Sequence, residues 1–150
     1  AAYKRGNLGR LLVFKLGGGA VAIPPELPKL EVAPEPPAQK PGVTPATIAS
    51  GQQLFFANCV MCHSNQHRSI TPDLRRMQPG THQVFNDIVL KGLLLPNGMP
   101  RWDDVLKPAE VDAIHAWLIA EQGKTRADEL EKTTRGIPLD APSLAILSNY

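Results

Sequence analysis

A proline-rich stretch constrains the fold of this chain more than any other feature. Eight prolines fall within residues 24–45. Proline fixes φ and lacks an amide hydrogen, so the stretch favours extended polyproline II structure. At ~3.1 Å per residue it could reach about 65 Å when fully extended. The sequence therefore predicts a semi-rigid linker over residues 24–45, with a separate body on each side.

The composition limits the possible partners. A net charge of +2 with no basic cluster gives no support for a nucleic-acid partner. The longest apolar runs are broken by charge or proline and fall short of the roughly 18 residues that a membrane span needs. Aromatic residues make up only 5% of the 150 residues, so side chains supply little apolar mass. We expect one domain without a membrane span, in which something besides side chains fills the core.

Two predicted helices follow the linker. Thr44 can cap a helix that begins at Pro45, because proline suits the first helical position. A second helix is predicted over residues 81–90, where apolar residues fall on one side and Gly92 provides an end.

The third predicted helix has the clearest signals. It begins at Pro108, carries acidic residues in its first turn, and is expected to end at Gly123. Residues 64–80 and 93–106 are rich in Pro, Gly, Asn and Asp, which predicts loops. The sequence thus predicts an all-α domain of three main helices over residues 46–124.

Both ends of the chain lie outside this domain. The run GRLLVFKLGGG predicts a β-like arm within residues 1–23. A single strand has no partner here, so it either folds back on the helices or belongs to a sheet outside this chain. The tail, residues 125–150, is equally compatible with an ordered wrap and a frayed terminus.

The motif that carries chemistry is Cys59-Val-Met-Cys62-His63. This spacing is typical of c-type haem attachment, in which two thiols add to the vinyl groups and the adjacent imidazole binds iron. A redox pair, half of a zinc site and a disulfide are the alternatives. Haem is favoured because a helix runs into the motif and the chain has no third cysteine.

Met99 is the candidate for a second iron ligand opposite His63. It stands in the loop sequence LPNGMPRW, which is able to place a thioether without helical constraint. A neutral thioether raises the reduction potential relative to a second imidazole. Met61 and Met77 are expected to be flexible gap-fillers instead.

The other histidines are weaker candidates. His67 lies close to the attachment motif and His82 at a helix start, so both are expected to face solvent. His115 is expected to be a partly exposed residue of the last helix.

Residues 46–123 resemble a class I c-type cytochrome domain. The resemblance rests on GQQLFFANCVMCH, TPDL, NGMP and a terminal helix containing Trp117. In that family a glycine and an aromatic residue of the first helix cross an aromatic residue of the last, which corresponds here to Gly51, Phe55 and Trp117.

The same resemblance implies further haem contacts. The carbonyl of Pro72 is expected to accept the second N–H of the axial histidine, which fixes its tautomer and raises its basicity. Leu74 is expected to pack on the ring. Trp102 is a further candidate for a cofactor-binding residue.

A narrower resemblance is to the C-terminal cytochrome domain of quinohaemoprotein alcohol dehydrogenases. It rests on PDLR, on IVLKGLLLPNGMPRWDDVLKPAEVDAIHAWLIAEQ, and on GRLLVFKLGG followed by a proline-rich tether. In those proteins an eight-bladed β-propeller with pyrroloquinoline quinone (PQQ) precedes the cytochrome, and a strand like GRLLVFKL closes it. The chain lacks the quinone site, calcium ligands and catalytic aspartate, which suggests a fragment or a subunit. Arg75 could face a haem propionate or solvent.

These resemblances imply electron transfer, with no catalytic residue in this chain. One haem c would be held by both cysteines, with His63 and Met99 on the iron, while PQQ and calcium would belong to the propeller partner. A copper protein or another cytochrome would be the external acceptor. The alternatives are a free-standing soluble periplasmic cytochrome, and a haem sensor or peroxidase-like enzyme, which NGMP disfavours. Haem attachment implies a bacterial periplasm.

Overall fold

The computed structural model describes residues 15–20, 30–63 and 71–139, and these contain helices and no strand. The helices are α1 (Pro45–Asn58), α2 (Pro79–Gln83), α3 (Phe85–Lys91) and α4 (Pro108–Thr134), with 3₁₀ turns at Leu74–Arg76 and Leu95–Asn97. The predicted all-α class is confirmed. The predicted β-like arm lies almost entirely outside the described residues, as do residues 140–150 of the tail.

Helix α1 begins as predicted. The Thr44 hydroxyl accepts the amide hydrogen of Thr47 at 3.2 Å, and Pro45 occupies the first turn. This cap satisfies one of the amides that a helix start leaves without an internal partner.

The crossing of α1 and α4 forms the centre of the molecule. A Cβ on Gly51 would lie 1.9 Å from the carbonyl oxygen of Ala113, so only glycine allows the two backbones to come this close. Next to this contact the rings of Phe55 and Trp117 lie 4.6 Å apart between centroids. The expected contact of Gly51, Phe55 and Trp117 is therefore confirmed.

The second predicted helix is divided in two. Pro79 starts α2 before the predicted position, and Val84 leaves helical geometry between α2 and α3. A β-branched residue is a poor helix former, which suits such a break. Gly92 ends α3 as predicted, with φ 72° in the left-handed region.

The prediction that the last helix ends at Gly123 is wrong, because α4 continues to Thr134. An interior glycine costs about 1 kcal/mol relative to alanine, which tertiary contacts readily offset. Here Gln122, Glu129 and Lys132 are buried on the second half of α4. The predicted domain boundary after residue 124 thus falls inside a continuous helix.

Residues of the predicted linker make many of the tertiary contacts along α4. Residues 30–43, which we call the strap, lie along α4 without regular secondary structure. The Gln39 side chain donates to the Ala116 carbonyl at 2.7 Å, and Lys40 pairs with Asp112 at 2.7 Å. Ala33 is fully buried. The strap is therefore packed on the domain, while residues 24–29 lie outside the described part.

Several expectations about exposure are wrong. His82 and His115 are each only 7% exposed, because their rings stack with one another and His115 also stacks on Phe85. Met77 is buried in the core as expected of a gap-filler, but Met61 is 95% exposed. His67 lies outside the described residues.

Within the described residues, no helix combines the length and the apolar character that crossing a membrane requires.

Candidate metal centre

The Cys-x-x-Cys-His motif is placed by the end of α1. The amide of Cys59 caps the helix on the Phe55 carbonyl at 2.8 Å, and the chain then turns tightly. The amides of Cys62 and His63 both bond to the Cys59 carbonyl, at 3.2 and 2.8 Å. The two thiols and the imidazole therefore sit on one compact turn.

The two cysteines differ in their surroundings. Cys59 is half-buried against the core, Cys62 is exposed, and no disulfide joins them. Burial, assisted by the neighbouring Cys62, raises the pKa of Cys59 to about 11. Reactive redox cysteines have lowered pKa values, since the thiolate is the nucleophile. Cys59 therefore lacks the lowered pKa of an activated redox thiol.

The imidazole of His63 has one nitrogen engaged. Its Nδ1 lies 3.2 Å from the carbonyl oxygen of Pro72. A carbonyl only accepts, so Nδ1 carries the hydrogen and Nε2 holds the lone pair. The hydroxyl of Thr71 also donates to the Cys62 carbonyl, which ties the chain before Pro72 to the motif. His63 is thus in the tautomer that a metal ligand at Nε2 needs.

The segment after Pro72 is held by its own side chains. Asp73 caps the Leu74–Arg76 turn by accepting the Arg75 amide. The same carboxylate accepts two guanidinium N–H groups of Arg75, each at 2.9 Å. The Arg75 side chain is only 16% exposed and so is not a solvated surface arginine. Leu74 packs partly buried against the core.

Met99 and Trp102 lie on the loop between α3 and α4. Gly98, with φ 90°, follows the Leu95–Asn97 turn, and the Met99 amide bonds back to the Leu94 carbonyl at 3.2 Å. The amide of Trp102 bonds to the Val89 carbonyl of α3 at 2.9 Å. Both side chains are partly buried, so the loop is attached to the domain rather than detached from it.

Four of the candidate residues border the same core cluster. Cys59, Leu74, Met99 and Trp102 all pack against the same core cluster without being fully covered. Leu93, Leu94 and Leu95 expose 54%, 38% and 55% of their surface in the adjoining loop. An apolar surface, two thiols, one available imidazole nitrogen and one thioether fit a covalently attached haem. The described residues contain no group of three or more His, Cys, Asp or Glu side chains suited to a metal ion.

A buried polar row on α4 was not predicted from the sequence. His115, Gln122 and Glu129 are spaced seven residues apart, or about two turns, so they lie on one side of the helix. The seven-residue spacing is visible in the sequence, but the second half of α4 is polar on every side, so the spacing does not single out a buried face. Burial lowers the pKa of His82 and, together with the charge of His82, lowers that of His115 to about 4. Both rings are therefore neutral near pH 7.

Comparison with known proteins places the domain. The family model of cbb3-type cytochrome c oxidase subunit III matches residues 46–118. Quinohemoprotein alcohol dehydrogenase ADH IIB of Pseudomonas putida is 39% identical over 121 residues, which cover 77% of this chain and 17% of that protein. Cytochrome c6 of Tetradesmus obliquus is 34% identical, over 49% of this chain and 89% of that protein.

A solved structure agrees with these matches. Quinohemoprotein alcohol dehydrogenase ADHIIG of Pseudomonas putida HK5 shares 37% identity with a TM-score of 0.59, over 72% of this chain and 15% of its own. The chain spans less than a fifth of the alcohol dehydrogenases that it matches. The chain belongs to the c-type cytochromes, and its domain is homologous to the cytochrome c domain of the quinohemoprotein alcohol dehydrogenases.

Proposed function

We propose that this chain transfers electrons through one covalently bound haem c. Cys59 and Cys62 form the thioether links, and His63 Nε2 and Met99 Sδ bind the iron. The observation that carries this proposal is the 3.2 Å contact between His63 Nδ1 and the Pro72 carbonyl, which leaves Nε2 as the available nitrogen. When bound, the haem supplies a one-electron couple.

The residues of this chain around the haem would then influence its reduction potential. The Pro72 carbonyl orients the imidazole and makes its other nitrogen a stronger donor. Leu74, Met99 and Trp102 supply partly buried apolar surface that would exclude water from the ring. This chain holds His63 through Pro72 and the backbone of Met99 through Leu94, so little reorganisation of these two residues would accompany electron gain or loss. Arg75 follows Pro72 by three residues, and Asp73 holds its guanidinium. In the proposal this guanidinium lies near a haem propionate.

The proposed electron donor is a dehydrogenase module. Two relatives that cover about three quarters of this chain are named as quinohemoprotein alcohol dehydrogenases, which supports such a partner. In the proposal PQQ sits on a calcium-containing β-propeller that residues 1–23 help to close, and its two electrons leave one at a time. A copper protein or another cytochrome then accepts them in the periplasm.

A second candidate is a free-standing periplasmic cytochrome. The match that covers 89% of cytochrome c6 favours it, because that relative is matched over nearly its whole length. Residues 1–45 would then serve another purpose.

The haem proposal is tested by covalent retention. We expect the full chain, matured with haem, to gain the mass of one haem that survives denaturation. Cys59→Ser and Cys62→Ser should each weaken that retention, since each removes one of the two thioether links. The double variant should lose all haem-linked mass. Full retention in the double variant would show that no thioether forms.

A further inference from the structure

The strap and the residues around Pro72 are joined through two side chains of α4. Gln122 and Glu129 each have 0% of their surface exposed. A buried polar side chain costs free energy unless it is hydrogen-bonded, so their partners show what they hold in place. Both make contacts on two sides, with the strap on one side and with residues 72–77 on the other.

Gln122 uses its whole carboxamide. Its Nε2 donates to the carbonyl of Pro34 in the strap at 2.9 Å and to the carbonyl of Met77 at 3.0 Å. Its Oε1 accepts from His82 Nε2 at 3.0 Å, and His82 Nδ1 in turn lies 2.9 Å from His115 Nε2. Two neutral rings satisfy this chain of bonds when His115 Nε2–H donates to His82 Nδ1 and His82 Nε2–H donates to Gln122, which agrees with their lowered pKa values.

Glu129, seven residues after Gln122 on α4, also connects the strap to residues 72–77. Its Oε2 accepts the amide hydrogen of Ala33 in the strap at 2.7 Å, and its Oε1 accepts from Arg76. The other arm of the same guanidinium donates to the Glu31 carbonyl. Buried charge-assisted bonds of this kind are strong and fix geometry.

The segment between these bonds and His63 is short and stiff. Arg76 and Met77 stand at one end of residues 72–77, and Pro72 stands at the other. Between them the Arg76 amide bonds to the Asp73 carbonyl at 3.0 Å and closes the 3₁₀ turn. A displacement of Arg76 therefore displaces the carbonyl that accepts from His63 Nδ1.

We propose that Gln122 and Glu129 are positioning residues that hold the Pro72 carbonyl against His63 and so couple the strap to the reduction potential. This inference rests on the proposed function, because a potential exists only once haem is bound. Loss of either connection lengthens the His63–Pro72 bond. The imidazole then becomes a weaker donor, the oxidised state loses stabilisation, and the potential rises.

The test compares Glu129→Gln with Glu131→Gln in the haem-loaded full chain. A carboxamide has one acceptor oxygen, so Glu129→Gln cannot serve both Ala33 and Arg76. The side chain of Glu131, two residues away, is 60% exposed and pairs with the surface residue Arg135, so Glu131 is the matched control. We expect Glu129→Gln to shift the redox equilibrium three- to tenfold toward the reduced state and to speed hydrogen exchange at Ala33. Glu131→Gln should change neither.

A second variant separates position from charge. Arg76→Lys keeps the positive charge, but its one ammonium nitrogen cannot take the places of the two guanidinium nitrogens that donate to Glu129 and to the Glu31 carbonyl. We expect it to raise the potential in the same direction. A wild-type potential in Arg76→Lys with haem attached overturns the inference and assigns any Glu129→Gln shift to lost charge. Absence of covalent haem in the wild type would instead defeat the proposed function.

Discussion

A single hydrogen bond determines which nitrogen of His63 is available. The Pro72 carbonyl can only accept, so it selects the Nδ1–H tautomer before any metal is present. The neighbouring Cys59 is kept as a neutral thiol by burial, which raises its pKa to about 11. At the scale of residues, the described geometry leaves Nε2 of His63 as the imidazole nitrogen able to bind a metal and keeps Cys59 protonated.

The proposed second ligand gives the sharpest prediction at this scale. Met99→Ala removes the thioether, which favours the reduced state of iron, so the potential should fall. We expect a change of at least tenfold in the redox equilibrium, about 59 mV for one electron. Added imidazole or cyanide should also bind, as followed by absorbance titration.

Met61→Ala is the control, because that side chain is 95% exposed. An unchanged potential and no added-ligand binding in Met99→Ala would move the ligand assignment to another residue. His82 is a poor substitute in the described structure, since both of its ring nitrogens are engaged within the buried row.

The helices meet where the sequence permits close approach. Gly51 lets α1 touch the backbone of α4, and Phe55 and Trp117 fill the space beside the contact. The position of the crossing then determines where the end of α1, and with it the Cys-x-x-Cys-His turn, lies on the core. Packing at this crossing is therefore a condition for the site.

Gly51→Ala should destabilise the chain because its new Cβ would lie 1.9 Å from a backbone oxygen of Ala113. A backbone group cannot rotate away as a side chain can, so the helices must separate. We expect a loss of about 3 kcal/mol in the free energy of unfolding, measured by urea denaturation.

Gly80→Ala is the matched control. Nothing lies within 4 Å of its Cβ position, and alanine in a helix should stabilise by about 0.5–1 kcal/mol. Equal stability of Gly51→Ala and the wild type would mean that α1 and α4 do not cross this closely.

Local signals predicted the starts of α1 and α4 well and the end of α4 poorly. Thr44, Pro45 and Pro108 act on the first turn of their own helices, so sequence alone places them. Gly123 was expected to end α4, but a helix continues when burial elsewhere offsets the glycine. The strap supplies that burial from almost ninety residues away, as the Gln122–Pro34 bond shows. The spacing of residues in the sequence could not reveal that the strap packs against this part of α4.

The candidate site was predicted by the same kind of local signal. Cys59, Cys62 and His63 lie on one turn. Pro72, whose carbonyl accepts from His63, stands only nine residues later in the sequence. His82 and His115 were expected at the surface because a polar side chain on an amphipathic helix usually faces solvent. They are buried because they pair with each other and because His82 also pairs with Gln122. Long-range polar pairing of this kind leaves little trace in a single sequence.

At the scale of the whole molecule, the strap shortens the proposed tether. Residues 30–43 are bound to α4, so only residues 24–29 remain between the strap and the proposed arm. Six residues extend at most about 20 Å, well below the reach of a free linker over residues 24–45. A dehydrogenase module attached through residues 1–23 would therefore sit close to the cytochrome. A short tether raises the effective concentration of one redox group near the other.

This arrangement predicts the mass of the native protein. If residues 1–23 belong to a propeller, the haem-staining species isolated from the source should be several times larger than 16.3 kDa and should carry PQQ. Denaturing electrophoresis with haem staining, followed by quinone extraction, measures both properties. A haem-staining species near 16.3 kDa without quinone would favour the free-standing cytochrome that the cytochrome c6 match supports. The strap would then stabilise α4 and tune the potential without linking the domain to a donor.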